Sequence, residues 1–96
     1  MTLHTLNATP ASAAFTDCLR LIAPGDALLL LGDGVYAALA GTAARGALER
    51  CGAEVFVLGE DAAATGVLAR LEGLEVIDMD GFVALTERFT RQLAWY

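Results

Sequence analysis

The stretch Ala27 to Leu31, ALLLL, is apolar at every position and runs straight into Gly32-Asp33-Gly34. A strand with one wet face needs an apolar residue only at every second position. An unbroken apolar run therefore implies a strand covered on both faces, as the strands of a parallel sheet are. That requirement brings helices to both sides of the sheet and leaves crossover connections as the way to link the strands.

The rest of the chain supplies the pieces. Leu3 to Leu6 reads as a short first strand, followed by the breaker-rich Asn7-Ala8-Thr9-Pro10. Ser12 is placed to cap a helix in which Phe15, Cys18, Leu19 and Ile22 fall at i, i+3, i+4 and i+7, one helical face. Pro24-Gly25-Asp26 stops that helix. A second helical region is expected from Val35 to Cys51, interrupted near Gly41-Thr42 and closed by Gly52 as the C′ residue. EVFVL (54–58) is a third strand and Asp61 to Leu71 a third helix, weakened at Gly66. Leu74 to Met79 is a fourth strand, Gly81 to Arg91 a fourth helix, and Leu93 to Tyr96 a short last strand. Strands alternating with helices in this way predict one domain over residues 1–96, an α/β/α three-layer sandwich on a parallel sheet of four or five strands.

Hydrophobic residues make up 56% of the 96 residues before the ten glycines are counted, against about 45–50% with glycine included in an average soluble domain. A domain this small buries a limited share of its surface, so part of the excess is expected at subunit contacts. The net charge is −6, lysine is absent, and the six arginines are scattered. Phosphate backbones are gripped by concentrated positive charge, so direct nucleic-acid binding by this chain is not expected. MTLHTLNATPASAAF has neither the charged start nor the continuous apolar centre of a secretory signal, and no apolar run is long enough to cross a bilayer. A cytoplasmic, membrane-free location is the expectation. Cys18 and Cys51 form no CxxC and no ligand cluster with the lone His4, so neither a disulfide nor a metal or other cofactor is anticipated.

Gly32-Asp33-Gly34-Val35-Tyr36-Ala37 satisfies GxGxxA between a strand and a helix, which raises a nucleotide-binding module as one alternative. Against it, the motif follows the second strand instead of the first, and Asp33 puts a carboxylate where pyrophosphate charge would sit. The competing reading is a tight turn in which Asp33 caps the following helix. His4 could pair with Asp33 or another acid across a neighbouring strand, the commoner case being a strand histidine at a subunit contact. Glu60-Asp61 and Asp78/Asp80 stand at strand ends before helices, which favours capping or solvation. Tyr36, Phe82, Phe89, Trp95 and Tyr96 supply aromatic area suited to an interface, Tyr36, Trp95 and Tyr96 above all.

Five pieces in order carry a resemblance over essentially the whole chain: Leu3-His4-Thr5, Asp33-Gly34-Val35 followed by alanines, Leu58 to Gly66, Asp78 to Thr86 with Phe82, and Trp95 near the end. Together they resemble the TusB/DsrH family of sulfur-relay subunits. The resemblance implies a DsrE-like fold and a heterohexamer of two copies each of three homologous subunits, the partners being TusC/DsrF-like and TusD/DsrE-like. Such a complex passes persulfide sulfur to a downstream acceptor protein, toward 2-thiolation of the tRNA wobble uridine or, alternatively, within dissimilatory sulfur oxidation. The main active cysteine would lie on another subunit, making this chain an accessory and mainly structural one.

Cys18 is the one position where this chain could act directly, as a persulfide acceptor. DsrH-type members resemble it in having a cysteine in the first helix. Sulfur transfer needs an accessible thiolate. Arg20 would favour that state and Asp17 oppose it, while the helical spacing puts Cys18 on the core face, where free cysteine packs as a small hydrophobe. Cys51, just before a helix-ending glycine, is read as packing.

Overall fold

A computed structural model describes residues Met1–Tyr96. Five strands, β1 (Thr2–Leu6), β2 (Ala27–Leu30), β3 (Glu54–Leu58), β4 (Glu75–Ile77) and β5 (Arg91–Trp95), form one sheet in the order β4-β3-β2-β1-β5, with every neighbouring pair parallel. The all-apolar β2 is the central strand and is buried at all four positions. The central strand is the one a sheet must cover on both faces.

Four helices make the crossovers: α1 (Ala13–Leu21), α2 (Ala43–Glu49), α3 (Gly59–Thr65) and α4 (Met79–Arg88). From β1 to β4 each crossover steps one strand in the same direction, and the last returns past three strands to place β5 beside β1. Right-handed connections then put α1, α2 and α3 on one face and α4 alone on the other. The core divides accordingly. Leu6, Leu28, Leu30 and Val57 pack with Phe15, Cys18, Leu48 and Ala62 on the first face. Leu3, Ala27, Leu29, Phe56 and Leu58 meet Leu85 and Phe89 of α4 on the second.

Local chemistry sets the helix limits. Ser12 and Asp78 accept from the N–H groups of Phe15 and Gly81, and Thr42 does the same for Arg45. The expected helix from Val35 to Cys51 is two pieces: a 3-10 segment, Gly32–Ala38, and α2, which begins only after its Thr42 cap and ends at Glu49 with Arg50 as its C-cap, two residues before Gly52. The interruption at Gly41-Thr42 is a complete break because Thr42 starts a new helix. The third helix stops at Thr65, six residues earlier than expected, because Gly66 takes a left-handed cap at φ 81°. Only a 3-10 turn, Leu68–Arg70, follows. The last strand begins at Arg91, two residues early, since its ladder with β1 extends from Thr2 to Leu6.

Candidate functional site

The glycine turn closes on the protein itself. A Cβ on Gly34 would lie 2.1 Å from the Leu6 carbonyl oxygen, and one on Gly32 would lie 2.0 Å from Asn7 Oδ1. Gly32 also sits at φ 52°, where a side chain is strained. Both glycines are therefore demanded by the close approach of the end of β1. The N–H groups that would cradle a phosphate are spent: Gly32 donates to Asp61 Oδ2 at 2.7 Å, Asp33 to Asn7 Oδ1 at 3.3 Å and Gly34 to the Leu31 carbonyl at 2.9 Å. Nothing of a nucleotide cradle is left. Asp33 is exposed, and the 3-10 segment has no side-chain cap. The carboxylate that serves this turn is Asp61, from the first turn of α3, so the capping role expected of Asp33 is corrected. Packing brought an acid from 29 residues away to the Gly32 N–H.

Cys18 has no accessible surface and lies within the first-face core. Burial, with a smaller contribution from Cys51, pushes its thiol up to about 12, which favours the protonated thiol at neutral pH. It is packed among Leu6, Phe15, Leu28 and Leu30 of that core. Cys51 is half-buried. Tyr36 is 38% and Tyr96 83% exposed, whereas Phe89 is buried and Phe82 packs partly against the second-face core. The last two are thereby withdrawn from the aromatic area expected to face a partner.

The most elaborate polar cluster joins three segments far apart in sequence. Asp26, buried at the entrance to β2, accepts from the Thr2 N–H at 2.9 Å, the Ala23 N–H at 3.0 Å and His4 Nε2 at 3.0 Å. Burial works to raise the Asp26 pKa, but the hydrogen bonds from Ala23, His4 and Thr2 outweigh it and hold the carboxyl below its ordinary value. His4 is 1% exposed, and its Nδ1 faces Trp95 Nε1 at 3.1 Å. An indole N–H can only donate, so Nδ1 is the acceptor and the imidazole proton sits on Nε2, toward Asp26. The acid partner of His4 is thus Asp26 and not Asp33. The histidine is enclosed within the chain and is not at a subunit contact, because Trp95 covers it. The N-terminal His and C-terminal Trp singled out in the sequence are the two halves of one contact. Asp26 was not singled out, although its place next to Pro24-Gly25 in a strand entrance was the available signal.

Arg45 was also missed. It is 6% exposed, donates from Nη1 to the Ala38 carbonyl at 2.7 Å and from Nη2 to the Glu72 carbonyl, and lies 3.5 Å from Glu49. It ties the 3-10 segment, α2 and the approach to β4 together. At the C-terminal ends of β3 and β4, where α3 and α4 depart to opposite faces, a cavity of about 520 Å3 is lined by Gly59, Glu60, Val76, Ile77, Asp78 and Gly81. This is where α/β sheets commonly bind ligands. Here it holds two carboxylates and no nucleophile or base pair, and Asp78 is engaged in capping α4.

A small all-parallel sheet, three crossover helices on one face and one on the other, with its glycine turn used internally, defines a DsrE-like α/β protein. Solved structures agree on the fold: the YchN protein from Escherichia coli superimposes with a TM-score of 0.79 at 18% identity, covering 97% of each chain. Tm0979 from Thermotoga maritima gives 0.70 at 23%, covering 92% of this chain and 93% of that one. The family model described as "DsrH like protein" matches residues 9–92. Protein TusB from Escherichia fergusonii and from Erwinia tasmaniensis are each 42% identical over 94 residues, 97% of this chain and 99% of theirs. Protein TusB from Escherichia coli O1:K1 is 40% identical over the same span. The chain belongs to the TusB/DsrH family of sulfur-relay subunits.

Proposed function

We propose that this chain is the architectural subunit of a cytoplasmic, heterohexameric sulfur relay. Two copies each of this chain and of TusC/DsrF-like and TusD/DsrE-like partners pass persulfide sulfur toward 2-thiolation of the tRNA wobble uridine. The active cysteine lies on a partner.

The observation that carries this reading is the uneven covering of the sheet. On the second face α4 packs over the middle and β4 side, and its Arg88 pairs with Glu54 of β3. Leu3 of β1 is still buried in the α4 cluster, but beyond it Thr5 is half-buried and Gln92 and Ala94 of edge strand β5 are exposed on the same face. Met79 and Val83, one turn apart on α4, are 49% and 56% exposed. A sheet of five strands is roughly 24 Å wide at about 4.8 Å per strand, and one helix about 10 Å across does not reach from β4 to β5. An open β5 edge beside an apolar helix flank suits a subunit completed by neighbours. The acidic charge supports a chain that does not itself hold tRNA. The buried, protonated Cys18 supports a structural role.

Co-expression with the two partner chains is expected to yield one assembly of two copies each on sedimentation analysis. A chain that remains alone in their presence refutes the proposal. Within that assembly, Cys18→Ala is expected to transfer sulfur at the unsubstituted rate; loss of transfer with an intact assembly would restore Cys18 as an acceptor.

A further inference from the structure

We propose that His4 and Trp95 form an acid-operated latch on edge strand β5: a proton arriving at His4 Nδ1 takes the lone pair that holds the indole, and β5 is released from β1 while the other four strands stay folded.

The latch follows from how little else holds β5 by its side chains. Arg91, Gln92, Leu93 and Ala94 are exposed, and only Trp95 is partly buried, packing against the first-face core. Apart from the ladder to β1, β5 and the residues around it have the Asn7 N–H donating to the Trp95 carbonyl at 2.9 Å and a long contact from Gln92 to the Thr86 carbonyl at 3.3 Å. As an edge strand, β5 has a partner on one side only. Freeing Trp95 therefore removes the chief side-chain anchor of the strand.

The proton and the indole exclude one another. Neutral His4 donates from Nε2 to Asp26 and accepts at Nδ1 from Trp95; an imidazolium donates from both nitrogens and meets the indole N–H head-on. Asp26, already charged and held by Thr2 and Ala23, stays in place to receive the imidazolium. Other charged groups near β1 leave this competition undisturbed. On α1, Asp17 and Arg20 lie 3.8 Å apart on the surface, and Cys18 is protonated. On β5, Arg91 is exposed and pairs in register with Thr2. Met1, carrying the N-terminal amine, is 84% exposed. Histidine is the side chain that ordinarily changes charge between pH 5 and 8, which sets the range to examine.

The chain contains one histidine and one tryptophan, so each can be followed without interference. In the full chain between pH 8 and 5, imidazole nitrogen shifts, tryptophan emission and amide exchange should be recorded together. The expected result is one shared midpoint: the emission moves to longer wavelength, and protection factors of β5 amides fall up to about tenfold per pH unit, the limit for one linked proton. Amides of β2 and β3 keep their protection. His4→Gln retains a donor for Asp26 and an acceptor for the indole without titrating, and is expected to hold emission constant across the range. The latch is overturned if the imidazole titrates with no response from Trp95 or β5, if it does not titrate before the whole sheet opens, or if His4→Gln shows the same shift. Should His4→Gln fail to fold, the three coincident midpoints of the unsubstituted chain still decide.

Discussion

Replacing Gly34 with alanine tests whether the glycine turn serves packing. The added Cβ would stand 2.1 Å from the Leu6 carbonyl oxygen, where carbon and oxygen ordinarily approach to about 3.3 Å. The end of β1 and the 3-10 segment must therefore separate by about 1.2 Å, given that ordinary contact. Overpacking of this kind costs about 1–3 kcal/mol. The same movement strains the hydrogen bond from the Leu31 N–H to the Leu6 carbonyl, now 3.2 Å, worth about 1 kcal/mol. Together the loss is about 3 kcal/mol, which at about 4–8 °C per kcal/mol lowers Tm by about 12–24 °C for a chain of this size. Gly46→Ala is the matched control. It lies inside α2, and its Cβ would meet only the mobile tip of Arg50 at 3.2 Å. The same substitution there is expected to stabilise by about 0.5–1 kcal/mol. Thermal melts of both variants, followed by circular dichroism with no ligand added, are the assay. A Gly34→Ala chain melting within about 2 °C of the unsubstituted one, less than about 0.5 kcal/mol, would show that the turn is not packed as described.

Three further outcomes are expected. Because the Asp26 carboxyl is held below its ordinary value of 3.8 in the folded chain, its contribution is fully present above that pH and is lost as the pH falls through the depressed value; urea midpoints should drop in acid, and Asp26→Asn should flatten the drop while lowering the plateau. Iodoacetamide at pH 8 should label the half-buried Cys51 and leave Cys18 unmodified until urea unfolds the chain, with equal labelling in the folded state counting against the buried thiol. Arg45→Lys should lose about 2–4 kcal/mol by urea denaturation, since one ammonium cannot reach both the Ala38 and Glu72 carbonyls and leaves a buried acceptor unpaired.

What was legible in the sequence is what local chemistry dictates. The unbroken apolar run of β2 implied a doubly covered parallel strand, and the spacing of Phe15, Cys18 and Ile22 put the cysteine on a core face. Ser12 announced its helix start. These depend on residues a few positions apart, whose periodicity and capping preferences act within the chain segment itself. Helix limits after Val35 and Asp61 were misjudged because hydrophobic periodicity continues across a turn, whereas Thr42 and Gly66 end helices by hydrogen bonding and backbone conformation.

The site-level questions were settled by tertiary structure. The motif GDG reads alike whether its N–H groups face a phosphate or a carboxylate, and only the folded sheet brings Asn7 and Asp61 against them. An arginine in a short helix reads as solvated until two distant carbonyls close over it. His4, Asp26 and Trp95 have no common local pattern, being separated by 22 and 91 residues along the chain. The sequence by itself determined which segments become buried strands, since burial follows from apolar content. Which polar groups meet was decided by strand order, because parallel pairing on both sides of β1 carries β2 and β5 to the same histidine.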